Sequence, residues 1–308
     1  MEEKAYTMTQ QRLEAVPLYA QSVEYSPHTL LVVEDFSPAA DSALKYAVMF
    51  AKRFGSHIHL ISVQPPIDFA EALECGSYAI KTSEDNARAS LARIQAQFKE
   101  SGIQSDAIRR VGNASDTLWK YAAELKPDLL LFGAYGYSPS DRPGLGSTAE
   151  HLLRTVRCPA FVVGPHASLS EPDVRSFHRI LCATTSLESP DKIVDFSAHF
   201  AKTMQSHLEL LHVVDPIHRG QLRQRYEEWC EDWCRKLRRR NISASWTLLY
   251  GQPEEAIAKR AAEAKVSLII FGLHRSGSHM IDCPDGVVSS TIHQASCPIM
   301  TVPMESPS

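Results

Sequence analysis

The chain has 308 residues, 44% of them hydrophobic and 8% aromatic, with a formal net charge of −4. That length accommodates two domains of ordinary size, and that apolar content excludes a disordered chain. Charge is evenly spread, 14 basic against 15 acidic residues over 29–165 and 16 against 17 over 166–308, so neither half has the basic excess of a nucleic-acid binder.

The opening stretch, MEEKAYTMTQQRLEAVPLYA, is acidic and has no apolar secretory core, and no apolar run reaches membrane-spanning length. Seven cysteines fall at irregular spacing. Together these features predict a cytoplasmic protein with reduced thiols and neither a nucleic-acid nor a membrane partner. From residue 29 the chain alternates two periodicities. TLLVVED predicts a strand and PAADSALKYAVMFAKRF a helix; HIHLISV is a strand and EDNARASLARIQAQFKESG a helix. DAIRRVG, SDTLWKYAAELK and DLLLFG continue as strand, helix and strand, and GSTAEHLLRTVR and PAFVVG close the series. Strands separated by helical segments imply βαβ crossovers and a parallel sheet covered on both faces.

The same series then recurs. VGNASDTLWKYAAELKPDLLLFGA (111–134) lies over YGQPEEAIAKRAAEAKVSLIIFGL (250–273) at an offset of 139, which also carries Cys158-Pro159 onto Cys297-Pro298. Upstream, AKRFGSHIHLISVQP (51–65) lies over AKTMQSHLELLHVVD (201–215) at an offset of 150. One domain is duplicated. The predicted organisation is a tail over 1–28, a first copy over 29–165, a linker over 166–178 and a second copy over 179–304. The last strands, PAFVVG and PIMTVP, are apolar enough to need cover at a sheet edge, which predicts that the two copies pair within one chain and leaves a homodimer open.

The connection after DLLLF is unusual. GAYGYSPSDRPGLGSTAE (133–150) puts more than ten residues, four of them glycine, before the next helix, where two to six would suffice. Ligands in doubly wound folds sit outside the carboxyl ends of the strands. Glycines let backbone amides approach an anion, and a helix N-terminus adds unpaired amides and a favourable dipole. The spacing Gly133-x2-Gly136-x9-Gly146-Ser147 therefore suits a polyphosphate. Walker A is excluded, since no Gly-Lys-Ser/Thr is present. GLGSTA matches a dinucleotide fingerprint but does not directly follow a strand and lacks its acidic partner about 20 residues on. Ser147-Thr148-Ala149-Glu150 is also a capping box, which would satisfy the helix amides internally. Spacing alone leaves capping and phosphate binding open.

That glycine pattern resembles the nucleotide motif of the universal stress protein family. VVEDFSPAADSALKYA, HLISVQPP, RRVGNASDTL and RCPAFVV resemble it too, in order and spacing, across residues 29–165. The resemblance implies two doubly wound five-stranded parallel-sheet domains in tandem, of Rossmann-like type, in a stress-response nucleotide-binding protein. It implies ATP, with or without Mg²⁺, as the ligand of the first copy. Val33 and Asp35 would hold the nucleoside and Val63 would pack on adenine. The loop of Gly133, Ala134, Tyr135, Gly136, Tyr137 and Ser138, with Gly146, Ser147, Thr148 and Ala149, would hold the phosphates. Asp35 has a second reading as the N-cap of the following helix. In the second copy Asp35, Gly136, Gly146 and Ser147 become Thr185, Arg275, Asp285 and Gly286. That copy therefore reads as the same fold without the ATP motif, a pairing and regulatory partner whose Arg275, His274 and His279 are expected in an exposed loop.

No catalytic residue is predicted. The loop has no Lys, no His and no nucleophile–base pair, so binding with slow or no hydrolysis is expected. A scaffold that binds no nucleotide and a slow ATP hydrolase are the alternatives. No metal site is predicted either. His57-x-His59 puts two rings on one strand face without a third ligand. Cys230 and Cys234 accompany an apolar stripe of Leu222, Tyr226, Trp229, Trp233 and Leu237, which predicts core packing.

Overall fold

Strands covered on both faces read as unbroken apolar runs, and TLLVV and LLLF do so here. In the computed structural model both are buried: Leu30, Leu31, Val32, Leu129, Leu130 and Leu131 expose none of their surface. The structure describes residues 25–66, 69–136, 145–167, 172–184, 191–214, 223–276, 279–282 and 285–305.

The first copy runs β1 (Thr29–Val33), α1 (Pro38–Phe54), β2 (His57–Gln64), α2 (Phe69–Glu100), β3 (Ser105–Val111), α3 (Ala114–Leu125), β4 (Leu129–Gly133), α4 (Ser147–Thr155) and β5 (Ala160–Val163). Its strands are all parallel, in the order β3-β2-β1-β4-β5. The order reverses between β1 and β4, so the crevice for a ligand opens at their carboxyl ends. The second copy repeats the plan with β6 (Arg179–Thr184), α5 (Asp191–Met204), β7 (His207–Val214), α6 (Arg223–Arg239), β8 (Ala244–Tyr250), α7 (Pro253–Glu263), β9 (Leu268–Ser276), β10 (His279–Asp282), α8 (Asp285–Gln294) and β11 (Ile299–Glu305). Both domains are thus the doubly wound parallel sheets expected.

Two elements differ from expectation. The helix expected from Glu84 begins at Phe69. Its first turns, FAEALE, are strong helix formers, but the Gly76-Ser77 pair breaks the apolar period that marks the rest. In the second copy the expected exposed loop is a β-extension: β9 continues through His274 and Arg275 to Ser276 and pairs antiparallel with β10, which starts at His279.

The backbone of the repeat outlasts its residues. Gly55 and Gln205, Gly102 and Asn241, and Lys126 and Lys265 occupy matching places after helices, and all six have φ between 51° and 70°. The left-handed residue that follows each of these helices has been kept even where its glycine was not.

β5 and β11 meet antiparallel, with Val162 opposite Ile299 and Phe161 opposite Met300, so the two sheets form one sheet of eleven strands. The pairing expected of the last strands is present. Helices α1, α2, α5 and α6 share one apolar core on one face, and α3, α4, α7 and α8 share another on the opposite face. At the join, Phe161 lies 4.9 Å from Tyr46, 5.5 Å from Phe50 and 6.4 Å from Phe177, between ring centroids, and Phe177 lies 5.9 Å from Phe200. Tyr25, just before β1, reaches Phe196 of α5 at 5.0 Å. Cys230 and Cys234 are buried free thiols within the second copy, beside Tyr226, Trp233 and Leu237 of the stripe on α6; Leu222 lies outside the described residues. Among the described residues no helix is long and apolar enough to cross a membrane.

Candidate nucleotide site at the β1–β4 crevice

β1 ends at Val33, and the next four residues turn sharply into α1. Phe36 takes a left-handed φ of 63°. Two carboxylates tie the turn: Glu34 Oε1 accepts from the Phe36 amide at 2.6 Å and Asp35 Oδ1 from the Ser37 amide at 3.0 Å. The N-cap of α1 is Ser37, whose Oγ accepts from the Ala40 amide at 3.2 Å. Asp35 is therefore not the cap, and the second reading of that residue is set aside. The same Ser37 Oγ donates to the Tyr135 carbonyl at 3.2 Å, which fastens the start of the glycine loop to the start of α1.

The loop then comes back to the same place. Gly136 is exposed, and a Cβ there would stand 3.0 Å from Asp35 Oδ2. The Gly146 amide donates to the Ala134 carbonyl at 3.0 Å, so the two ends of the loop are joined by a backbone bond. Asp35, Gly136 and Gly146 thus cluster at the mouth of the crevice, with half-buried Val33 and Val63 at the ends of their strands. Tyr137 and Ser138 lie outside the described residues.

α4 starts at Ser147, its N-cap is Gly146, and no side chain caps it. The capping box expected of Ser147 and Glu150 is not formed; Glu150 Oε1 instead accepts from Arg154 one turn on, at 2.8 Å. An α-helix leaves its first amides without intrahelical partners, and here the surrounding residues at that end are small. Ser147 is exposed, Thr148 half-buried and Ala149 buried. The arrangement offers backbone donors and a positive dipole end to an anion, with an acceptor carboxylate across the opening.

Not every expected residue faces that opening. Gly133 packs against α1: a Cβ there would come within 2.7 Å of the Ala39 Cβ and of the Ala40 amide nitrogen. Ala134 is fully buried and its amide donates to the Val163 carbonyl at 2.9 Å. Tyr135 turns away, its hydroxyl 2.9 Å from His293 Nδ1 on α8 of the second copy.

Glu34, Ser37 and the Tyr135–His293 contact had no separate signal in the sequence beyond the acidic doublet of VVED. Glu34 is 1% exposed and its Oε2 makes no hydrogen bond. Burial pushes its pKa up to about 8, against the Phe36 amide, with Asp41 and Asp35 adding to the rise.

In the second copy the counterpart segment is differently used. Arg275 lies on β9, whose ladder to β11 extends as far as Arg275 opposite Glu305. Asp285 is the first residue of α8, and a Cβ at Gly286 would meet nothing within 4 Å. Thr185 lies outside the described residues.

Comparison with known proteins agrees with this architecture. The family model described as the universal stress protein family matches twice, over residues 27–164 and 176–303. The curated Universal stress protein MJ0531 of Methanocaldococcus jannaschii is 24% identical over 136 residues, covering 44% of this chain and 80% of its own. A solved universal stress protein from Archaeoglobus fulgidus superposes with a TM-score of 0.70 at 18% identity, covering 89% of this chain and 96% of that one. A Pseudomonas aeruginosa protein of unknown function does so with a TM-score of 0.61 at 16% identity, over 90% and 92% of the two chains.

Proposed function

The chain belongs to the universal stress protein family, and on that premise we propose that its first copy binds ATP at the head of α4 while the second serves as pairing and regulatory partner. The observation that carries this reading is the glycine N-cap of α4, left without a side-chain cap, beside the Asp35 carboxylate. Phosphates take the amides from Ser147 onward together with the Ser147 and Thr148 hydroxyls. Asp35 Oδ2 accepts from a ribose hydroxyl or from the adenine amine, and Val33 and Val63 cover the base. Gly136 keeps Asp35 accessible, because any side chain there would displace the carboxylate. Gly133 and Ala134 act by holding the backbone in place.

The second copy is the internal contrast. It spends the backbone of β9 on a ladder and carries Asp285 where a phosphate would sit, so one nucleotide per chain is expected. Calorimetric titration of nucleotide-free, full-length protein with ATP should saturate at a ratio of one. Asp35→Ala should weaken binding by tenfold or more, since a charge-assisted hydrogen bond contributes about 1.5–3 kcal/mol. A ratio of two, or unchanged affinity in the variant, overturns the reading.

A further inference from the structure

At the opposite end of the sheet, where β2 and β3 begin, three potential ligands converge. His57 and His59 point to one side of β2 with their rings stacked at 4.6 Å. Asp106 stands opposite His59 in the register of β3. The carboxylate Oδ2 lies 2.9 Å from His57 Nε2 and 3.6 Å from His59 Nδ1. One ligand atom from each residue falls within 4.8 Å of the other two. The third ligand missing from the sequence pattern is supplied by the neighbouring strand.

His59 Nδ1 is buried and makes no hydrogen bond, and 3.6 Å to the carboxylate is beyond hydrogen-bond reach. The second copy shows how the same place looks when it is satisfied internally. There His207 stands for His57, and its two ring nitrogens meet Ser243 Oγ at 2.8 Å and Ser245 Oγ at 2.7 Å. Glu209 stands for His59, fully buried and bonded to Arg179, Thr247 and Arg260. Serine replaces Asp106, since Ser245 is the register partner of Glu209. One copy thus closes the position with ion pairs; in the other His57 is hydrogen-bonded to Asp106, and His59 Nδ1 faces the same carboxylate without a hydrogen bond.

We propose that His57, His59 and Asp106 bind one divalent transition-metal ion of the zinc type. Zinc takes imidazole nitrogen and carboxylate oxygen at about 2.0–2.2 Å, which puts neighbouring donors about 3.3–3.6 Å apart in a tetrahedron. The observed 3.6 Å matches that spacing, and the 2.9 Å contact would open by a few tenths of an ångström. Asp106 is 57% exposed, so its carboxylate can adjust and solvent can reach it. Nitrogen donors disfavour Mg²⁺ and Ca²⁺, which prefer all-oxygen shells. The site is four residues along β2 from Val63, roughly 13 Å away, so it is separate from the metal that accompanies a nucleotide.

Tag-free, full-length protein stripped of metal and nucleotide is titrated with Zn²⁺ against a chromogenic chelator. The expected result is one tight equivalent per chain, weakened tenfold or more in His59→Gln and in Asp106→Asn, with excess Mg²⁺ failing to compete. Co²⁺ in place of Zn²⁺ should give visible ligand-field bands that Asp106→Asn alters. Asp106 is exposed, so its variant keeps the test alive if His59→Gln misfolds, which circular dichroism would reveal. Absence of binding, equal affinity in Asp106→Asn, or equal competition by Mg²⁺ overturns the proposal, and none of these outcomes depends on ATP.

Discussion

Glu34 is the residue whose environment departs furthest from its chemistry. An ordinary carboxyl has a pKa near 4.5, and burial has raised this one to about 8. The folded chain therefore holds a proton that the unfolded chain releases between those values. Stability from this group is complete at and below the unfolded value and falls as pH rises toward the folded one, by about 1.4 kcal/mol per unit across the window. Glu34→Gln should therefore raise the melting temperature clearly at pH 8 and little at pH 5; equal shifts at both would show that the carboxyl is not held protonated. This residue also marks what the sequence could convey about the site. Asp35 was legible because it follows a strand in a recognisable spacing. Its neighbour was not, because burial of Glu34 comes from the packing of α1 over β1 and has no local signature.

Among the elements, the contact of α1 with β4 is the tightest constraint near the crevice. A methyl group at Gly133 would meet Ala39 and the Ala40 backbone at 2.7 Å, and backbone cannot swing aside. Gly133→Ala should cost about 1–3 kcal/mol in urea denaturation and weaken ATP by shifting the turn that bears Asp35 and Ser37. Gly272, its counterpart, would press only on the side chains of Met304 and Ile193 at 3.2 and 3.4 Å, so Gly272→Ala should cost less. The reverse order would remove steric fit as the reason for this glycine. Both glycines were readable as repeat partners, and strands and helices could be placed from period alone. The extension of β9 into β10 could not, since HRSGSHMID has no alternating apolar pattern and owes its pairing to the neighbouring β11. The capping box failed for a related reason: the motif fits, but Gly146 rather than Ser147 occupies the cap.

Across the whole molecule the two cores run through the join between copies, which predicts one unfolding transition. Phe161 is fully buried and touches the rings of Tyr46 in the first copy and of Phe177, just before β6. Phe161→Ala should destabilise the chain by about 3–5 kcal/mol. Three of the four tryptophans, Trp229, Trp233 and Trp246, belong to the second copy, so fluorescence reports mainly on it. The substitution in the first copy should shift that fluorescence transition and the far-ultraviolet dichroism together. Two separated transitions would mean that the halves fold independently. The duplication and the edge-strand pairing were visible in the sequence as a repeat with two apolar last strands. The aromatic cluster was not, because Tyr46, Phe50, Phe161, Phe177 and Phe200 come together only once the sheets have joined.

The antiparallel meeting of β5 and β11 inside one polypeptide changes what dilution can do. Between separate chains such a contact dissociates at low concentration; here its partner is tethered, and the local supply never falls. Tethering also ends the rule that every change enters a symmetric interface twice. The Tyr135–His293 bond illustrates this: the residues at the mirror-image positions are His274 and Arg154, a different pair of side chains. Each half has been free to drift alone, and the residues that carry the contact between the crevice loop of one and the last helix of the other are not repeated in its counterpart.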